Sequence, residues 1–392
     1  MRTRLSQILT AVLFAAAAFS SALLSAVELS KPLDTLRAVG PFGQGNRAAE
    51  QAWRELSKAD AKELPEILAA LDGASPLASN WIRSAIDTIA DRAIKAGQLD
   101  AAPLEKFALD RQHSPRARRL AFELLAKVDT TAPQRLIPGM IDDPSLEMRR
   151  DAVARLLDEA APKFDGGDKD AAKKLYSAAL AGARDPDQVK LIAERLEKLG
   201  DRVDLPRHFG FIMDWQVIGP FDNTGETAFD IAYPPEKAVD LAAAYPGKLG
   251  EIRWIEAKTN DPYGAIDLNK TLGKNNGVVA YAFAKFQSAA DQEVDLRLST
   301  VNANKIWVNG QEVGKFAVYH AGEELDQYIV RAKLRKGENT ILLKILQNEM
   351  KESWAQDWKY QFRVCDASGT AILSTDRPPT PEPPPPMPEK PE

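Results

Sequence analysis

At 392 residues the chain is too long for one ordinary core, and two domains plus terminal tails are the natural organisation. Its composition, 44% hydrophobic and 27% charged, is that of a soluble globular protein. The net charge of −5 argues against nucleic acid or an anionic membrane surface as the main partner.

Residues 1–26 read as a signal peptide. Arg2 and Arg4 supply a positive start, Leu5 to Leu24 is mostly apolar, and small residues offer cleavage after Ala22 or Ala26. Cleavage would send the protein to the periplasm, cell surface or exterior and take its charge from −5 to −7. The alternative is an uncleaved membrane anchor, because the apolar run is almost long enough to span a bilayer. No cysteine lies near the leader, which excludes a bacterial lipoprotein anchor. The sole cysteine, Cys365, precludes an intramolecular disulfide, so both domains rest on burial alone. In Arg363-Val364-Cys365-Asp366 it reads as a packed strand residue.

A linker at 27–45 leads into a helical region at 46–205 that is rich in Ala and Leu and has no β-branched runs. A repeat shows at Ser75-Pro76, Ser114-Pro115 and Asp143-Pro144, each followed by an apolar stripe around Ala85, Ala121 and Ala152. Those alanines are 36 and 31 residues apart, the size of a helix pair. Ser or Asp as a cap and Pro in the first turn account for the helix starts. The pattern resembles HEAT-type α-solenoid repeats, which as a class dock protein partners. Arg111, His113, Arg116, Arg118 and Arg119 form a basic cluster, read as a solvated face paired with Asp110, Asp142 and Asp143.

From Phe209 onward, alternation replaces helical spacing. The predicted strands are 211–218, 252–256, 278–287, 294–300, 305–308, 311–316, 327–333, 340–346, 359–365 and 371–373. Short strands with Gly, Asn and Pro turns and no amphipathic helix between them predict an antiparallel β-sandwich over 206–376. Asn309-Gly310 between two apolar runs predicts a type I′ hairpin, and Gly337 marks a second turn. Trp215 and Trp307 lie mid-strand and are assigned to the core. The Pro-rich stretch 377–392 reads as a disordered tail.

The hairpin Ile306-Trp307-Val308-Asn309-Gly310-Gln311-Glu312-Val313 and the turn Leu334-Arg335-Lys336-Gly337-Glu338-Asn339 resemble the galactose-binding-like jelly roll. That module accompanies many glycoside hydrolases and other secreted carbohydrate-active proteins. The stretch Trp215-Gln216-Val217-Ile218-Gly219-Pro220-Phe221-Asp222-Asn223 and Tyr233-Pro234-Pro235-Glu236 resemble the start of such modules. The order of leader, HEAT-like helices and sandwich resembles secreted proteins of planctomycete-type bacteria. The resemblance implies a fold more than an activity, because the module often only braces a catalytic domain.

Sugar recognition needs aromatic faces and a few planar polar groups. Two loops supply both: Tyr319, His320, Asp326, Gln327 and Tyr328 in one, and Gln347, Asn348, Glu349, Trp354, Gln356, Asp357 and Trp358 in the other. The competing reading makes them covers for the ends of the core. Asp222, Asn223, Thr224, Glu226 and Asp230 gather oxygen ligands suited to a structural calcium ion, although their spacing fits no calcium-loop consensus. Apart from that ion no cofactor is implied.

The sequence has no phosphate loop, nucleophile elbow or metal-spaced histidines; His113, His208 and His320 lie far apart. Glu323 with Glu349, or Asp326 with Asp357, can be imagined as a glycosidase pair, but among 56 acidic residues such pairs arise by chance. The sequence therefore predicts a non-catalytic exported protein whose helices dock a protein and whose sandwich binds a glycan. The alternatives are a structural envelope adaptor without glycan binding and, third, a glycan-active hydrolase.

Overall fold

A computed structural model of the chain describes residues 29–378. The leader and residues 379–392 of the Pro-rich tail lie outside the described residues. The chain divides between Ala183 and Arg184 into two compact units. That division precedes the 205/206 boundary predicted from the change in periodicity. The last long helix belongs with the sandwich, and just ahead of it Arg184 Nε donates to Thr370 Oγ1 at 3.2 Å. Among the described residues no helix is long and apolar enough to cross a membrane.

The first unit is helical: α1 (residues 29–37), α2 (Asn46–Leu56), α3 (Leu64–Ala69), α4 (Pro76–Lys95), α5 (Ala101–Leu109), α6 (Pro115–Val128), α7 (Ala132–Leu136), α8 (Leu146–Asp165) and α9 (Lys169–Gly182). The expected linker is therefore largely structured. Leu29, Leu33 and Leu36 recur at helical spacing and enter the core with Leu56, Ile86, Phe107 and Leu125. Ser75 Oγ and Ser114 Oγ cap α4 and α6 by accepting from Ala78 N (3.2 Å) and Ala117 N (3.4 Å). The third repeat starts later than predicted, with Ser145 as its cap, accepting from Met148 N. Asp143 is instead buried. Its carboxylate receives Arg118 Nη1 and Nη2 at 2.9 and 2.8 Å and Ser145 N at 2.8 Å. Four of the cluster's five basic residues are paired with carboxylates, Arg111 with Asp142, His113 with Asp72, Arg118 with Asp143 and Arg119 with Glu123. Arg118, however, is only 1% exposed and is no part of a solvated face.

The second unit opens with α10 (Pro186–Lys198) and α11 (Leu205–Phe209) and continues as strands. In chain order these are β1 (Asp214–Asp222), β2 (Ala244–Gly247), β3 (Gly250–Arg253), β4 (Ile255–Lys258), β5 (Ile266–Asp267), β6 (Val278–Ser288), β7 (Gln292–Ser299), β8 (Ala303–Val308), β9 (Gln311–Phe316), β10 (Tyr328–Leu334), β11 (Gly337–Gln347) and β12 (Lys359–Cys365). One antiparallel sheet runs β4-β1-β6-β11-β8-β9, a second runs β10-β7-β12-β5, and β2 with β3 forms a hairpin. Two short helices, α12 (Pro234–Lys237) and α13 (Leu268–Leu272), interrupt the strands. The predicted strand 371–373 reduces to one bridge between Cys365 and Ala371. Asn309 (φ 51°) and Gly310 (φ 79°) take the left-handed backbone that a type I′ turn requires, with Val308 facing Gln311.

The two large sheets face each other across one core. Val217, Ala282, Ile306 and Leu343 from the first meet Leu296, Val330 and Phe362 from the second. The other face of the six-stranded sheet is buried too. Residues between β1 and β4, among them Ala228, Tyr233, Ile252 and Trp254, fold back over Tyr281, Phe283, Trp307 and Leu342. Trp215 and Trp307 are therefore both core residues, on opposite faces of the sheet.

Candidate functional site

The loops that follow β1, β9 and β11 come together at one end of the sandwich. Asn348, directly after β11, is 4% exposed and joins them. Its Nδ2 donates to Glu226 Oε1 at 3.1 Å, and its Oδ1 accepts from Met350 N at 3.2 Å. With the amide so oriented, the 2.9 Å contact between His320 Nε2 and Asn348 Oδ1 has the imidazole as donor. Nδ1 of His320 is then an acceptor with no partner among the described residues. The His320 ring meets Trp354 edge-on, with centroids 5.2 Å apart and planes at 77°. Trp354 is 65% exposed.

Neighbouring groups hold this arrangement in place. Asn223, fully buried, donates through Nδ2 to Tyr319 OH (3.1 Å) and to the Gln347 carbonyl (3.0 Å), and accepts from Ala228 N. Burial pushes the Tyr319 hydroxyl pKa up. Lys248 Nζ fastens the 222–225 loop, reaching Asp222 Oδ1 at 3.0 Å, Thr224 Oγ1 at 3.1 Å and the Gly277 carbonyl at 2.6 Å. Glu349 accepts from Gly225 N at 2.8 Å. Glu226 (φ 57°) and His320 (φ 54°), the two side chains that meet on Asn348, both sit on left-handed backbone. That conformation costs a non-glycine residue roughly 1–2 kcal/mol, and strain of this kind clusters where side-chain direction matters.

Of the predicted ligand residues, Tyr319, His320, Asn348 and Trp354 converge. The others make their contacts outside this cluster. Trp358 is fully buried and donates through Nε1 to the Ile345 carbonyl at 3.3 Å. Asp326 is clamped by Arg297 (2.8 Å) and Arg363 (Nε at 2.7 Å). Burial alone would raise its pKa, but these guanidinium contacts outweigh that effect and hold the carboxyl below its usual range. Gln327 Nε2 reaches only Tyr328 OH, at 3.5 Å. Gln356 donates to the carbonyl of Met350 at 2.8 Å, within its own loop. Asp357 pairs with Lys359 at 3.1 Å, as does Glu323 at 2.8 Å.

The predicted calcium ligands do not face a common point with free oxygens. Asp222 is taken by Thr224 and Lys248, and these contacts lower its pKa. Asn223 spans two loops, Glu226 binds Asn348, and Asp230 points outward beside Lys305 at 3.5 Å. Among the described residues no three His, Cys, Asp or Glu side chains gather as a metal site.

The protein is thus a helical unit joined to an antiparallel β-sandwich whose loops present an aromatic–amide cluster. No family model matches the sequence, and no curated protein matches it. Among solved structures, a family 35 carbohydrate binding module from Clostridium thermocellum is 15% identical, covering 22% of this chain and 71% of that one, with a TM-score of 0.18. The GH31 α-xylosidase from Xanthomonas citri is 11% identical over 29% of this chain and 15% of that one, TM-score 0.18. The β-glucosidase from Kluyveromyces marxianus in complex with glucose is 10% identical over 74% of this chain and 36% of that one, TM-score 0.25. At these identities and TM-scores nothing about activity follows from the likeness.

Proposed function

We propose that the sandwich is a non-catalytic carbohydrate-binding module of an exported protein. The carrying observation is Trp354, an exposed indole beside an imidazole whose acceptor nitrogen is free and whose orientation is fixed through Asn348 and Glu226. An indole face suits the C–H face of a pyranose ring, and His320 Nδ1 and the Glu226 carboxylate suit its hydroxyl protons. A large aromatic left in water with fixed polar neighbours fits a ligand better than a core cover, which would be buried. Export rests on the leader at 1–26. The helical unit is read as a HEAT-like scaffold for a protein partner, supported by its serine-capped helices with buried alanines at Ala85, Ala121 and Ala152. Non-catalytic action is favoured because Asp326, Asp357 and Glu323 are each held by cations.

Affinity electrophoresis of the full chain against a panel of soluble polysaccharides tests this reading. At least one polysaccharide should retard the native chain. Trp354→Ala should weaken retention about tenfold or more, with exchange of the β6 and β11 amides changed by no more than about threefold. Retardation by no polysaccharide, or retention unchanged in the Trp354→Ala, His320→Ala double variant, refutes it.

A further inference from the structure

The opposite end of the sandwich, where β1 begins and β4 ends, carries a groove of about 1210 Å³. Its walls come from α10, the start of β1, the loop after β4 and residues 372–378, all within the second unit. Ile212, Met213, Tyr263 and Ile372, all only partly buried, give it an apolar lining. Arg377 is half-buried among them.

The state of Arg377 is the informative one. Its Nη1 donates to the Phe211 carbonyl at 2.7 Å, and among the described residues no carboxylate lies within ion-pairing distance. Burial lowers its basicity, against the longer-range pull of Asp204 and Asp214. Both of those carboxylates are engaged elsewhere: Asp204 accepts from Arg207 N at 2.9 Å, and Asp214 lies 3.9 Å from Lys258. Lys285, also on the wall, is paired with Glu338 at 3.1 Å. A guanidinium withdrawn from water without an anion is an unfavourable arrangement that an incoming carboxylate would relieve. The two buried arginines of this unit, Arg297 and Arg363, take a carboxylate from the chain itself.

We propose that this groove is a second binding site, taking an amphiphilic monocarboxylate with its apolar body along Met213 and Ile372 and its carboxylate on Arg377. The occupant is chosen by what the groove lacks. The apolar wall asks for a hydrocarbon or aromatic body, and the one unpaired, half-buried cation among the described residues of the wall asks for a single anion.

The test is calorimetric titration of the full chain with octanoate, with octan-1-ol as the uncharged comparison. Octanoate should bind saturably at one per chain, and octan-1-ol at least about tenfold more weakly. Arg377→Gln should bring octanoate down to the level of the alcohol, while Arg377→Lys retains part of the difference. Met213→Glu, which places a carboxylate among the apolar side chains of the wall, should abolish octanoate binding without depending on any change at Arg377. Trp354→Ala should leave it unchanged, which separates this site from the proposed glycan site. Absence of saturable octanoate binding, equal affinity for acid and alcohol, or full affinity in both Arg377→Gln and Met213→Glu overturns the proposal.

Discussion

Trp354 and Trp358 are four residues apart in one loop, yet alanine should affect them in opposite ways. Trp358 is fully buried in the sandwich core and hydrogen-bonded to the Ile345 carbonyl, so Trp358→Ala leaves a large cavity. Truncation of a buried tryptophan costs roughly 3–5 kcal/mol. Trp354 is 65% exposed and touches mainly the edge of His320, so its loss should cost no more than about 0.5 kcal/mol. The chain has two compact units, so a whole-molecule melt would mix their transitions. Hydrogen exchange of the β6 and β11 amides, which pair along the centre of the large sheet, isolates the sandwich. In Trp358→Ala the most protected of these amides should exchange roughly 100- to 4,000-fold faster, the equivalent of that energy. In Trp354→Ala they should be within about threefold of the native rates. A Trp358→Ala protein that speeds exchange by less than about tenfold, or a Trp354→Ala protein that matches it, would refute the division between core and site.

Two further outcomes follow from buried ion pairs. Asp326 is held below its usual pKa by Arg363 and Arg297, so its contribution is full above the unfolded carboxyl pKa and is lost as pH falls through the lower folded value. Sandwich stability should therefore drop in the acid range below about pH 4, and Asp326→Asn should flatten that limb while costing roughly 3–5 kcal/mol at neutral pH, measured by exchange of the β7 and β12 amides across pH, corrected for the intrinsic rates. In the helical unit, Asp143→Ala strands the buried Arg118 guanidinium and should cost roughly 3–5 kcal/mol, read from exchange of the α6 amides. Asp142→Ala, at an exposed pair with Arg111, should change those amides little.

The fold was legible where one residue's conformation settles a connection. Asn309-Gly310 is such a place: both residues take positive φ, and the hairpin has the expected register. The repeat serines at 75 and 114 behave likewise, because a hydroxyl followed by Pro is a local helix start. Asp143 misled for a physical reason. An Asp before Pro reads as a cap, but a carboxylate can equally be the partner of a distant guanidinium, and Arg118 lies 25 residues away. The covering of the sheet's outer face went unpredicted even though β11 carries the signal. Ile341, Leu343 and Ile345 point into the sandwich, and Leu342 and Leu346 are equally apolar on the other face. A strand apolar at both parities is buried on both sides. Lys344 fits that reading only because Glu236 and the Ile231 carbonyl receive its ammonium under the covering loop, at 2.7 and 2.8 Å.

The site was half legible for the same reason. Composition identified loops rich in aromatics and amides, but a tryptophan facing solvent and one filling a core have the same letter. Trp358 precedes β12 directly, and alternation through Tyr360, Phe362 and Val364 puts it on the inward face. Trp354 lies in a short 3-10 turn with no such continuation. Extending strand parity one step back into the loop would have separated the two. Glu226 was harder, because its partner Asn348 is 122 residues away and no local pattern joins them. An oxygen-rich loop reads as a cation site when its lysine is unseen. Lys248 supplies that charge from a separate turn, and the loop it fastens braces Asn348 and, through it, the His320 ring beside the exposed Trp354.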